Sequence, residues 1–170
     1  MEGKFFKIIF FLSFVVFYSC QNSKTQDIDS VISKYDDTDF SVFKGAFIAI
    51  RQRNSSETTY MLGDSEGNNP LYFIEYDEMT NKIILINNSI LKKAKIPDYF
   101  SNEEIEKLIT YFRKYDFVLL SVDKDNNVFI NPFEINSPAL LIRFNKLPNT
   151  EKIKKGYAYK QYTGNWYLKE

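Results

Sequence analysis

The stretch Ser101-Asn102-Glu103-Glu104-Ile105-Glu106-Lys107-Leu108-Ile109-Thr110-Tyr111-Phe112-Arg113-Lys114-Tyr115 carries the strongest helical pattern in the chain. Ser101 and Glu104 have the spacing of a capping box, in which each side chain satisfies an orphan backbone donor of the other. Ile105, Leu108, Ile109 and Phe112 fall on one stripe, while Glu103 and Lys107 pair four residues apart on the wet side. Arg113 and Lys114 stand at the negative end of the helix dipole. The spacing predicts a helix over 102–115.

Working outward, the segments on either side alternate as strands do. Downstream, Phe117–Val122 and Asn127–Ile130 predict a hairpin around Asp123–Asn126, followed by a strand over Ala139–Phe144. Tyr157–Tyr162 and Trp166–Leu168 flank Thr163-Gly164-Asn165, a second tight hairpin. Upstream, Leu71–Tyr76 and Lys82–Asn87 are joined by a connection of hairpin length. Ile83-Ile84-Leu85-Ile86 is apolar on both faces, which predicts a central strand. Phe43–Arg51 reads as a strand with Phe47 and Ala49 on one face and Ile48 and Ile50 on the other. A turn at Asn54-Ser55-Ser56, a shorter strand around Thr58–Leu62 and a loop over Gly63–Pro70 follow it. Asp27–Tyr35 predicts a short N-terminal helix, with Ile28, Val31, Ile32 and Tyr35 in phase. Strands grouped around one inserted helix argue for an α+β fold with a mostly antiparallel sheet, in a single domain over 31–170.

The chain has 170 residues, 44% hydrophobic, with 16 Phe and 12 Tyr, enough to bury a core without staples. Its 22 basic and 22 acidic residues cancel, and no basic block of nucleic-acid-binding character is present. Lys152, Lys154 and Lys155 beside Gly156 read as a solvated turn. There is one Cys and no His. A Ser-His-Asp triad, a Cys-His pair and a zinc site built on His or several Cys are therefore excluded, and catalysis would rest on carboxylates, Lys, Tyr or Ser. Neither a cofactor nor a resident metal is expected.

The N-terminus divides into three parts. Lys4 and Lys7 precede an apolar run from Ile8 to Tyr18, and small Ser19 precedes Cys20. Eleven residues at ~1.5 Å each span about 16 Å, roughly half of a ~30 Å hydrocarbon core. The segment is thus too short for a stable span. Phe17-Tyr18-Ser19-Cys20 resembles the lipobox of bacterial lipoproteins, with Phe17 and Tyr18 bulkier than the residues usual there. The resemblance implies a signal peptide over 1–19, cleavage before Cys20, diacylglycerol on its sulfur and acylation, such as palmitate, of the new amine. It implies a membrane partner and an envelope location outside the cytoplasm. Asn22, where Asp favours inner-membrane retention in the enteric version, implies the outer membrane. Residues 20–30 are then expected to be anchor and polar tether.

Three constellations invite chemistry. Asp123, Asp125, Asn127, Asn131 and Glu134 fall at positions 1, 3, 5, 9 and 12 of a calcium-loop spacing, yet Val128 occupies the position that needs Gly. A polar hairpin turn is the favoured reading. Asp36, Asp37 and Asp39, and Glu75, Asp77 and Glu78, form acidic clusters that could serve glycoside hydrolysis only if held across a cleft. The aromatic tail Tyr157, Tyr159, Tyr162, Trp166 and Tyr167 suits either cross-strand packing or a binding face. Tyr159 and Trp166 are taken as the binding candidates. The function expected is a lipid-anchored, non-catalytic envelope module that binds a protein or glycan, an inhibitor or immunity-type protein among them. The alternative is a small carboxylate-dependent envelope hydrolase.

Overall fold

A computed structural model describes residues 27–146 and 159–170. The lipobox, most of the expected tether, Lys152, Lys154, Lys155 and Tyr157 lie outside the described residues. The chain divides between Thr38 and Asp39. In the first unit, residues 27–35 are helical (α1), with Ile28, Ile32 and Tyr35 buried on one side of the helix. Residues 27–30, expected as tether, already belong to this helix, because the apolar phase begins at Ile28.

Among the described residues, the second unit is built on an antiparallel sheet of nine strands. The strands are β1 (Ala46–Arg53), β2 (Glu57–Asp64), β3 (Tyr72–Asp77), β4 (Lys82–Asn87), β5 (Leu119–Val122), β6 (Val128–Asn131), β7 (Leu141–Arg143), β8 (Tyr159–Thr163) and β9 (Trp166–Lys169). Their spatial order is β4-β3-β2-β1-β5-β6-β7-β9-β8. The mostly antiparallel α+β reading is met.

Between β4 and β5 the chain must cross β3, β2 and β1, four strand spacings or about 19 Å. Helix α3 (Asn102–Phe112) covers much of that distance, at about 16 Å for 11 residues. Its capping box forms as expected: the Ser101 hydroxyl accepts from the Glu104 N–H, and the Glu104 carboxylate accepts from the Ser101 N–H. The helix stops at Phe112 rather than Tyr115, with Arg113 as its cap. A second helix in the same connection, α2 (Ser89–Ala94), was not anticipated. It is short, lacks a side-chain cap bond and ends on Lys95 in the left-handed region at φ 57°.

Alternation along the strands sorts the sheet into two faces. On one, Ile48, Ile50, Tyr60, Leu62, Tyr72 and Ile74 are at most 1% exposed. There Phe112 of α3 meets the Tyr60 ring edge-on at 5.9 Å, and the Tyr72 hydroxyl accepts from the Tyr99 N–H at 2.8 Å. Each such fully buried aliphatic contributes about 1.5–3 kcal/mol.

Strand β4 is not central, as its two-faced apolar sequence predicted. It is the edge strand beside β3, with Ile84 and Leu85 exposed and a bulge that breaks the register opposite Glu75/Tyr76. The chain leaves Asn87 into α2, and the next strand, β5, pairs with β1 on the far side of the sheet, so none of the described strands lies on the outer side of β4. Among the described residues no helix is long and apolar enough to cross a membrane.

Candidate functional site

The face of the sheet opposite α3 is apolar along its middle. Phe47 and Ala49 of β1 share it with Met61 of β2, Leu119 of β5, Phe129 of β6 and Ile142 of β7, as the cross-strand pairs Ala49–Met61, Ala49–Leu119 and Phe129–Ile142 require. Such a face normally needs a second layer. Here the segment between β6 and β7 helps to wall it, and a groove of about 850 Å³ lies against it.

That wall is built by polar side chains. The buried Asn131 side chain accepts from the Phe133 and Glu134 N–H groups and donates to the Pro138 carbonyl at 2.9 Å. Asn136 donates to the Arg51 carbonyl at 3.3 Å, tying the segment to β1. The Tyr159 hydroxyl donates to the Ala139 carbonyl at 2.6 Å, and its ring lines the groove.

The two ends of the groove differ. At the N-terminal end of β1, Ser65 donates its N–H to the Gly45 carbonyl, and Glu66, Asp123 and Asp125 stand near it along the groove. The Ser65 hydroxyl oxygen is buried and has no hydrogen-bond partner among the described residues, a condition that natural structures rarely tolerate without a reason. At the opposite end is Arg51, placed in a β1 bulge between Ile50 and Gln52. Bulges re-aim a side chain in this way; the guanidinium lies 5.9 Å from the centre of the Phe73 ring.

Of the two binding candidates, Tyr159 is in the groove wall. Trp166 is not at a surface. It is 1% exposed, on the opposite face from Ile142, paired with Arg143 of β7, whose guanidinium lies 5.7 Å from the ring centre. Strand alternation is the reason: Tyr167 takes the groove-side position, and Trp166 must face the interior.

The Asp123 loop closes on itself. One carboxylate oxygen accepts from the Asp125 and Asn127 N–H groups at 2.8 and 2.9 Å, and the other accepts from the Asn127 amide at 2.8 Å. Asn126 supplies the left-handed turn position at φ 62°. This is the polar hairpin geometry, and no group of three or more potential metal ligands occurs among the described residues.

The acidic clusters are also engaged in turns. Asp39 is held below its ordinary range by the Ser41 N–H and hydroxyl, and Asp77 by the Thr80 and Met79 N–H groups. Burial pushes the Glu78 carboxyl upward, but the Thr58 hydroxyl and the Arg113 guanidinium outweigh it and leave the net shift downward. Arg113 bonds the Tyr60 hydroxyl and Glu78 at 3.0 Å each and sits 3.9 Å from the Tyr76 ring centre. Arg113→Ala should cost about 2–3 kcal/mol in denaturant unfolding, as expected when a partner of a part-buried charged hydrogen bond is removed; a loss under about 0.5 kcal/mol would show the network to be idle. Because the folded Glu78 value is depressed, its stabilisation is complete above the ordinary value of 4.5 and is lost as pH falls through the lower folded value. Glu78→Gln should therefore flatten the acid limb of stability against pH below about 4.5.

No protein-family model, curated protein or solved structure matches the chain. Its function is therefore argued from this geometry. Sequence reading reached Tyr159 through its aromatic character but missed Phe47, Met61, Phe129 and Arg51. The available signal was that β1 is apolar on both faces, while the one long amphipathic helix, 102–115, could cover only one of them.

Proposed function

We propose that the chain is a lipid-anchored, non-catalytic binding module of the bacterial envelope, held at the outer membrane through Cys20 and working through the groove on the sheet face opposite α3. The observation that carries this reading is the groove itself, about 850 Å³ with an apolar floor and a few polar groups at its ends. Sites of this volume and composition are typical of ligand pockets. Among the described residues, Asp39, Asp64, Asp77, Glu78 and Glu103 have displaced pKa values, each moved downward, toward the ionised form. A general acid in a carboxylate-dependent hydrolase needs the opposite shift, so binding is favoured over hydrolysis.

The test uses the full chain as bait in envelope extract, with two groove variants alongside. Ala49→Trp fills the floor, and Met61→Glu places a charge on it; thermal melting identifies which of them stays folded. A component retained stoichiometrically by the wild type and reduced at least tenfold by a folded groove variant supports the reading. Equal retention by wild type and variant, or hydrolysis of envelope glycan that survives both substitutions, would overturn it.

A further inference from the structure

The two ends of the groove carry opposite charge, and this selects a class of ligand. Arg51 stands at one end; the side chain makes no ion pair with the described residues, its one charge-type contact being with the Phe73 ring. Glu66, Asp123 and Asp125 stand toward the other end. Residues 46 and 51 are separated by about 17 Å of strand at ~3.3 Å per residue. Between them the floor is mainly apolar, with Phe47, Ala49, Met61, Leu119 and Phe129, and one hydroxyl side chain, Ser121 opposite Phe47.

We propose that the groove binds a single-chain anionic amphiphile, with its carboxylate or phosphate head at Arg51 and its hydrocarbon tail laid along β1 toward Ser65. This rests on the reading of the groove as the binding site and adds the chemistry and orientation of the occupant. The floor is a sheet face, whose backbone groups are already paired between strands, so it has nothing to offer an extended peptide backbone. It can receive methylene groups. The Glu66 and Asp123 carboxylates at the Ser65 end repel an anion, and the guanidinium at the other end attracts one with a planar pair of donors. Head and tail are thereby assigned to opposite ends. The shared chemistry is an acyl chain with an anionic head, available as a free fatty acid or as a single-chain phospholipid.

The experiment measures binding of radiolabelled dodecanoate to the full chain in nanodiscs of neutral lipid, with uptake by empty nanodiscs subtracted. Octanoate and decanoate, a single-chain lysophosphatidic acid, dodecanol and dodecylamine serve as competitors. Affinity is expected to rise about fourfold for each added methylene from octanoate to dodecanoate, the gain from moving one methylene out of water. Dodecanoate should outcompete dodecanol about fivefold, as an exposed charged contact permits, and dodecylamine should compete least. Arg51→Gln should bring dodecanoate down to the level of dodecanol while leaving dodecanol unchanged. Preference for the lysophospholipid over dodecanoate would assign the head as phosphate, and the reverse would assign it as carboxylate; either supports the class.

Two failures are distinguishable. If dodecanol and dodecylamine bind as tightly as dodecanoate and Arg51→Gln changes nothing, the anionic class is wrong and the groove stands as an apolar site. If no amphiphile binds above empty nanodiscs, the amphiphile proposal falls. The groove itself falls only if the folded Ala49→Trp or Met61→Glu chain also retains everything the wild type does in the extract experiment.

Discussion

Replacing Cys20 by Ser should move the chain from the detergent phase to the aqueous phase on detergent phase separation, and from the membrane pellet to the soluble fraction of cells. The expected effect is close to all-or-none. Each acyl methylene contributes ~0.8 kcal/mol to membrane attachment, and two or more chains make it stable, whereas one gives only reversible binding. No other cysteine can take the lipid, since Cys20 is the only one in the sequence. The apolar run before it is too short to hold a span if cleavage fails. Identical partitioning of wild type and Cys20→Ser would end the lipoprotein reading, while leaving the groove and its ligand untouched. Metabolic labelling with a palmitate analogue would report the same chemistry independently, with label in the wild type and none in the variant.

Trp166→Ala should destabilise the fold by about 3–5 kcal/mol, the range for deleting a fully buried large aromatic. For a domain of this size that is a fall in melting temperature on the order of 10 °C. The ring is 1% exposed and sits on β9 opposite Arg143, so truncation leaves a cavity and removes a cation–aromatic contact. Tyr159→Phe should cost about 1 kcal/mol, because it removes one hydroxyl donor to the Ala139 carbonyl and keeps the ring. The contrast separates the two aromatics that the sequence placed together: one holds the sheet, and the other steadies the groove wall. A Trp166→Ala chain within about 1 kcal/mol of wild type would show that the ring is at the surface after all.

The legible parts of the fold were those decided by local chemistry. Ser101 and Glu104 form the capping box because the reciprocal bonds need only a three-residue spacing. The turns at Asp123–Asn127 and Thr163–Asn165 fall where their Asp, Asn and Gly residues permit left-handed backbone; Asn126 and Gly164 adopt it, at φ 62° and 53°. The split of β1 into Ile48 and Ile50 against Phe47 and Ala49 follows from the strand period alone. What was misread is equally specific. Ile83-Ile84-Leu85-Ile86 has a central strand's composition and an edge strand's place. Hydrophobicity records what a strand could bury, whereas neighbours are assigned by where the following chain goes. Helix α2 carried no usable signal, because six residues without a side-chain cap bond are held by the burial of Leu91 and not by propensity.

By itself, then, the sequence determined the elements apart from α2, their alternation into two faces, the exclusion of histidine and multi-cysteine chemistry, and the lipobox resemblance at Cys20. These depend on residue type and spacing within a few positions. Only the tertiary structure decided that β1 lies between β2 and β5 and that Trp166 is interior. It alone brought Arg51, Met61, Phe129 and Tyr159 to one groove. Those residues come from β1, β2, β6 and β8, separated by up to about a hundred positions, and strand order is the outcome of packing the whole sheet at once. Alternation tells which face a side chain takes; the order of the strands tells which side chains share it.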